Sequence, residues 1–161
     1  MSKKLMNSVE QEYTFQKSQM GKKIGCSEWI TVAQERINKF AEITEDPQFI
    51  HIDPERAKQL SPFGKTIAHG FLVLSLASKF AIEVLPKTSS RIVRINYGFN
   101  KVRFIHPVFV DSLVRGTLTL NSVEKKDSFS LLKNFELKIE IKDTEKPALV
   151  AEWLILTQFS E

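Results

Sequence analysis

Residues 67–85 read IAHGFLVLSLASKFAIEVL, from Ile67 to Leu85, and this stretch decides the fold. It is nearly all apolar, yet Ser75, Ser78, Lys79 and Glu83 recur at helical spacing, so one narrow stripe stays wet. A helix that is apolar on its other sides must be wrapped by something. The charges lie inside the stretch and its flanks are unlike those of a membrane span, which argues against insertion into a bilayer.

The chain downstream of this helix can do the wrapping. Val93, Ile95, Tyr97 and Phe99 alternate with Arg94 and Asn96, and Leu118 and Leu120 alternate with Thr117 and Thr119. The cleanest alternation sets Phe135, Leu137, Ile139 and Ile141 against Glu136, Lys138, Glu140 and Lys142. Val150 to Phe159 is apolar on both faces and reads as a central strand. The turns fall at Lys125–Ser128 and Asp143–Pro147. The reading is therefore α+β: an antiparallel sheet curled around one long buried helix. A single such layer leaves strand edges and one sheet face in want of a partner, so a homodimer is expected.

Ahead of the long helix, Thr31 with Gln34 three positions on reads as a capping box. Ala33, Ile37, Phe40 and Ala41 then share a face, with Gln34, Glu35 and Lys39 opposite. Pro47 stops this helix and biases Asp46 away from helical backbone. Asp53-Pro54 marks the start of a short helix through about Leu60, and Ser61–Gly64 is a turn. Residues 1–20 show little periodicity and carry no motif, so they read as an N-terminal arm ahead of one domain over residues 21–161.

Composition narrows the function classes. The 161 residues suit a single domain with a real core. A net charge of +4 would suit an anionic ligand. No Lys/Arg run or RNA-binding motif accompanies that charge, so nucleic acid is not the expected partner. The lone Cys26 leaves no internal disulfide, and with three scattered histidines it forms no metal-ligand spacing. The polar start from Met1 to Glu12 lacks the apolar core of a secretion signal, which makes the cytoplasm the expected location.

The chemistry concentrates in two places. Asp46 and His51 stand five positions apart where a helix is left, an acid and an imidazole able to serve one small reacting group. Gly70 then opens the apolar helix, whose free N–H groups can hold a developing oxyanion. Acid, base and oxyanion donor are the minimum for adding or removing water next to a carbonyl. His69, at the start of that helix, reads as a packing or hydrogen-bonding residue rather than a base, because the helix dipole disfavours its cation. Arg94, Lys101 and Arg103 lie on strand-like segments, and His106 before Pro107 reads as a loop residue.

This order of elements, with these residues, resembles the hot-dog fold and specifically the MaoC-like dehydratases, in the branch named for nodulation protein N. The resemblance is carried by TEDPQFIHIDPERA from Thr44, PFGKTIAHGFLVLSL from Pro62 and INYGFNKVRFIHPVFV from Ile95. It implies reversible hydration of trans-2-enoyl thioesters to (R)-3-hydroxyacyl thioesters, with no metal or other cofactor. It implies that Asp46 and His51 are the catalytic pair and that the Gly70 amide, beside His69, helps to bind the thioester oxygen. Arg94, Lys101 and Arg103 would then meet the phosphates of coenzyme A. The family pattern Gly-Asp-x-Asn-Pro is altered here: Glu45 precedes Asp46 and Gln48 replaces the Asn, a change that bears on how water is held. The rivals are a dehydratase acting on acyl carrier protein and a non-catalytic acyl-thioester-binding protein. A hot-dog thioesterase fits less well, because Glu83 falls at the far end of the helix.

Overall fold

The alternation around Phe135 becomes the centre of a curved sheet in the computed structural model, which describes residues 3–86 and 92–160. Helix α1 (Lys3–Ser18) leads into two short strands, β1 (Lys23–Cys26) and β2 (Ile30–Val32). Three helices follow: α2 (Gln34–Thr44), the one-turn α3 (Phe49–Ile52) and α4 (Pro54–Leu60). The apolar stretch forms α5 (Gly70–Ser75) and α6 (Ala77–Val84). Four long strands complete the chain, β3 (Ile92–Phe104), β4 (Ser112–Lys125), β5 (Ser130–Ile141) and β6 (Leu149–Phe159). The sheet order is β1-β4-β5-β6-β3, with β2 also on β4, and every pairing is antiparallel. This is the expected α+β arrangement of a sheet curled on a helix.

On β5 the inward residues Phe135, Leu137 and Ile139 are buried, and Glu136 between them is exposed. Each such side chain contributes roughly 1.5–3 kcal/mol by leaving water. The helix approaches closely at Gly116 of β4, where an added Cβ would lie 2.6 Å from the Phe80 ring. Strand β6 does sit between two neighbours, but its outward residues are only half covered.

The long helix differs from its expectation in two ways. It is interrupted at Leu76, which keeps right-handed backbone (φ −66°, ψ −13°). The cause is local: the Ser75 hydroxyl donates to the Phe71 carbonyl at 2.7 Å, and such back-bonding bends a helix. It is also covered on one side only, since Phe71 is 69% and Ile82 77% exposed. No helix among the described residues is long and apolar enough to cross a membrane.

Two further expectations are corrected. Thr31 is no helix cap: it lies in β2 opposite Leu113, and Ala33 precedes α2 without a side-chain cap. The N-terminal segment, read from sequence as an arm of little periodicity, is helical where described. Val9 of α1 packs with Val123, Leu131 and Phe159, and Glu12 accepts from the buried Lys133 at 2.8 Å. The Asp53 cap on α4 stands as read, its carboxylate accepting from the Arg56 N–H at 2.9 Å.

Candidate active site

The acid–imidazole pair is brought together by two chain reversals. Helix α2 ends with Glu45 in left-handed backbone (φ 56°), and the Asp46 N–H returns to the Ala41 carbonyl at 3.0 Å. This leaves the Asp46 side chain 58% exposed. Pro47 and Gln48 lead into the single turn α3, where His51 is carried inward and buried. Gln48 itself is exposed at the start of that turn.

The His51 ring is fixed through Nδ1, which lies 2.7 Å from the Ile67 carbonyl. A carbonyl can only accept, so neutral His51 carries its proton on Nδ1 and keeps the lone pair on Nε2. Burial pushes its pKa below the ordinary histidine value. The Ile67 carbonyl and the Asp46 carboxylate pull against that shift, and neighbouring His69 adds to it. Neutral His51 is the form that can accept a proton.

His69 is stacked on His51, with ring centroids 3.7 Å apart and planes 26° from parallel. Its Nε2 lies 3.0 Å from the Asp46 carbonyl oxygen and 3.9 Å from the Asp46 carboxylate. The same logic puts a proton on Nε2, and His69 Nδ1 is buried without a partner. His69 therefore holds the main chain of Asp46. Asp46, His51 and His69 each present a ligand-type atom within 4.8 Å of the others. They are ill disposed for a metal, because ring lone pairs lie in the ring planes and stacked rings do not converge on one ion. His51 Nδ1 and His69 Nε2 are also engaged with carbonyls. The spacing does suit one water shared between the carboxylate and an imidazole.

Gly70, next to His69, is the first residue of α5, so its N–H has no acceptor within the helix. It borders a cavity of about 240 Å³ lined by Ile67, Ala68, Phe104, His106 and Val108. A Cβ on Gly70 would lie 3.1 Å from the Phe104 ring, which also lines the cavity, so a larger residue here would have to push that ring aside. His106, read from sequence as a loop residue, lines the cavity too.

The three basic residues are not brought together. Arg94 pairs with Thr157 on the helix-facing side of the sheet, half-buried, and donates to the Pro86 carbonyl at 2.7 Å. Lys101 and Arg103 pair with Glu152 and Val150 on the opposite face and are exposed. Sequence reasoning gave Gln34 only a capping role and passed over Thr66. Gln34 Nε2 donates to the His51 main-chain carbonyl at 2.7 Å, and Gln34 Oε1 accepts the Thr66 hydroxyl at 2.6 Å.

Comparison with known proteins gives this geometry a context. Residues 15–143 match the family model described as MaoC like domain. The chain is 45% identical over 142 residues to nodulation protein N of Rhizobium leguminosarum bv. viciae, covering 88% of each. It is 43% identical over 135 residues to 3-hydroxyacyl-thioester dehydratase Z of Mycobacterium tuberculosis, covering 84% of this chain and 88% of that one. Among solved structures, a monoamine oxidase regulatory protein from Archaeoglobus superposes with a TM-score of 0.75 at 28% identity, covering 89% of this chain and 92% of the other.

Proposed function

The chain belongs to the MaoC-like domain family, and from that premise we propose that it hydrates trans-2-enoyl-CoA reversibly to (R)-3-hydroxyacyl-CoA. The observation that carries the reading is the His51 ring held at Nδ1 on the Ile67 carbonyl, which leaves Nε2 as the lone-pair nitrogen of its neutral form, with Asp46 in the same cluster. The 43% identity to a 3-hydroxyacyl-thioester dehydratase supports the same reaction class.

In this mechanism one water sits between Asp46 and His51. As its oxygen bonds to C3, one proton passes to His51 Nε2, while the second O–H, which stays on the new C3 hydroxyl, donates a hydrogen bond to the Asp46 carboxylate, whose charge steadies the transient imidazolium. The electron pair of the C2–C3 double bond moves toward the thioester, and its oxygen takes negative charge against the Gly70 N–H. A donor of this kind is worth about 3–4 kcal/mol at the transition state. The imidazolium then returns its proton to C2. Atoms balance with water as the only co-reactant, and the scheme calls for no metal or other cofactor.

The working unit in this reading is a cytoplasmic homodimer. Strand β3 forms one edge of the sheet, and Val93, Ile95 and Tyr97 on it are exposed. Phe71 and Phe104 meet edge to face at 6.0 Å and are exposed beside Gly70. A second copy would cover this apolar border. The exposed Lys101 and Arg103 keep acyl carrier protein as an alternative thioester donor.

The test is direct. Purified protein with a short trans-2-enoyl-CoA should discharge the conjugated thioester absorbance and yield the (R) product, and the same acyl group on carrier protein should react more slowly. No reaction with either donor, or an (S) product, would overturn the assignment. Light scattering should report a dimer, and a fully active monomer would remove the second copy from the reading.

A further inference from the structure

A closed ring of hydrogen bonds surrounds His51, and its hub is a side chain that the acid–base chemistry leaves unused. Gln34 Nε2 donates to the His51 main-chain carbonyl at 2.7 Å and to Asn38 Oδ1 at 2.8 Å. The main-chain carbonyl accepts only, which fixes the orientation of the Gln34 amide. Its Oε1 must then accept, and it takes the hydroxyl of the buried Thr66 at 2.6 Å. Thr66 adjoins Ile67, whose carbonyl receives the Nδ1 proton of His51 at 2.7 Å and whose N–H returns to the Ile50 carbonyl at 3.0 Å. The Thr66 carbonyl is itself held by the Val110 N–H at 3.0 Å. One amide thus ties together α2, the turn that carries His51 and the strand-like lead into Gly70.

We propose that Gln34 is the positioning residue of this site. By tying the His51 main chain to the Thr66–Ile67 segment, it keeps the Ile67 carbonyl on Nδ1, so that His51 stays in the Nδ1–H tautomer with Nε2 as the base. Without the tie, α3 is one turn joined to the rest by few bonds, and the ring is free to exchange tautomers. The inference rests on His51 being the base, as proposed above. Asp46 and His69 are the titratable groups packed against the same ring.

The experiment is nitrogen NMR of histidine-labelled protein, with His51 identified by its loss in His51→Ala. The parent should show His51 as the Nδ1–H tautomer. Gln34→Leu removes both arms of the tie at similar volume, and should give a mixture of tautomers. Its kcat should fall roughly 10²-fold, the scale of loss for a misplaced reacting group, with KM little changed. Thr66→Val breaks one arm and should move the tautomer in the same direction, while Thr66→Ser, which keeps the hydroxyl, should restore the parent spectrum. Should Gln34→Leu fail to fold, the two Thr66 variants carry the comparison. An unchanged His51 tautomer in folded Gln34→Leu or Thr66→Val overturns the proposal. The NMR result stands apart from turnover, so a parent inactive on enoyl thioesters would defeat the hydratase reading and still leave the tie decided.

Discussion

His51 and His69 lie face to face at 3.7 Å, yet they are held by opposite nitrogens: Nδ1 of His51 on the Ile67 carbonyl, Nε2 of His69 near the Asp46 carbonyl. The two rings therefore act on different parts of the site. One offers a basic nitrogen, and the other secures the main chain that presents the carboxylate.

With His51 as the proposed base, its titration should set the pH dependence. Burial, the largest influence, lowers its pKa, so the neutral base persists somewhat below the usual histidine value of about 6.5. The acid limb of kcat/KM for hydration should inflect below that value. Stability has the matching sign: a depressed pKa means that the unfolded chain takes up the proton first, so this contribution is present above about 6.5 and lost as pH falls through the folded pKa. Rate and thermal unfolding measured between pH 5 and 8 check both, and an acid limb above 6.5 would contradict the assignment.

Asp46→Asn and His51→Ala should each lower turnover by about 10²–10⁴-fold. If they act on one shared water, the double change should add little to either single change. Their effects on folding should differ. Asp46 is largely exposed, so its replacement should leave the melting temperature nearly unmoved. His51→Ala leaves the Ile67 carbonyl without its ring partner and should cost about 1–3 kcal/mol.

Gly70→Ala separates helix formation from catalysis. Alanine favours a helix over glycine by roughly 0.5–1 kcal/mol, so unfolding temperature should hold or rise if the Phe104 ring yields a few tenths of an ångström. The new methyl group would intrude on the cavity that Gly70 and Phe104 line, and kcat/KM should fall. Shortening the obstruction with Phe104→Leu in the same chain should recover part of the rate.

Helix α1 should matter for stability rather than chemistry. Lys133 is nearly sealed (side chain 4% exposed), and burial lowers its pKa, with nearby Arg94 adding to that shift and Glu12, itself held by Gln16, opposing it. Glu12→Gln leaves that cation unpaired and should cost about 3 kcal/mol in denaturant unfolding. Adding Lys133→Met should restore most of it. Glu12 has a lowered pKa despite the opposing effect of burial. Its contribution is therefore present above the ordinary glutamate value and lost as pH falls through the folded one.

Where one apolar period dominated, the sequence was readable. The β5 alternation, the Asp53 cap and the helix start at Gly70 all rest on neighbours a few residues away. The failures have a common cause in distant polar partners. Thr31 and Gln34 have the spacing of a capping box, but Thr31 is drawn into a ladder with β4. Gln34 is claimed by His51 and Thr66, 17 and 32 residues on. Helix α1 presents little apolar periodicity because much of its attachment runs through Glu12 to a lysine 121 residues away. Arg94 and Lys101 are an odd number of positions apart on one strand, and the strand pairing confirms that they occupy opposite faces.

The placement of α1 also orders events during synthesis. It leaves the ribosome well before Val123, Leu131, Lys133 and Phe159, the groups it lies on. Strand β3 likewise waits for β6, the last strand, before either can pair. Closure of this domain is thus a late, long-range event, and folding should be slow for its size because so much loop entropy is lost before the final contacts form. A nascent chain stalled before Leu149 would carry a sheet lacking its penultimate strand and an unpaired β3, the state in which this protein is most exposed to aggregation.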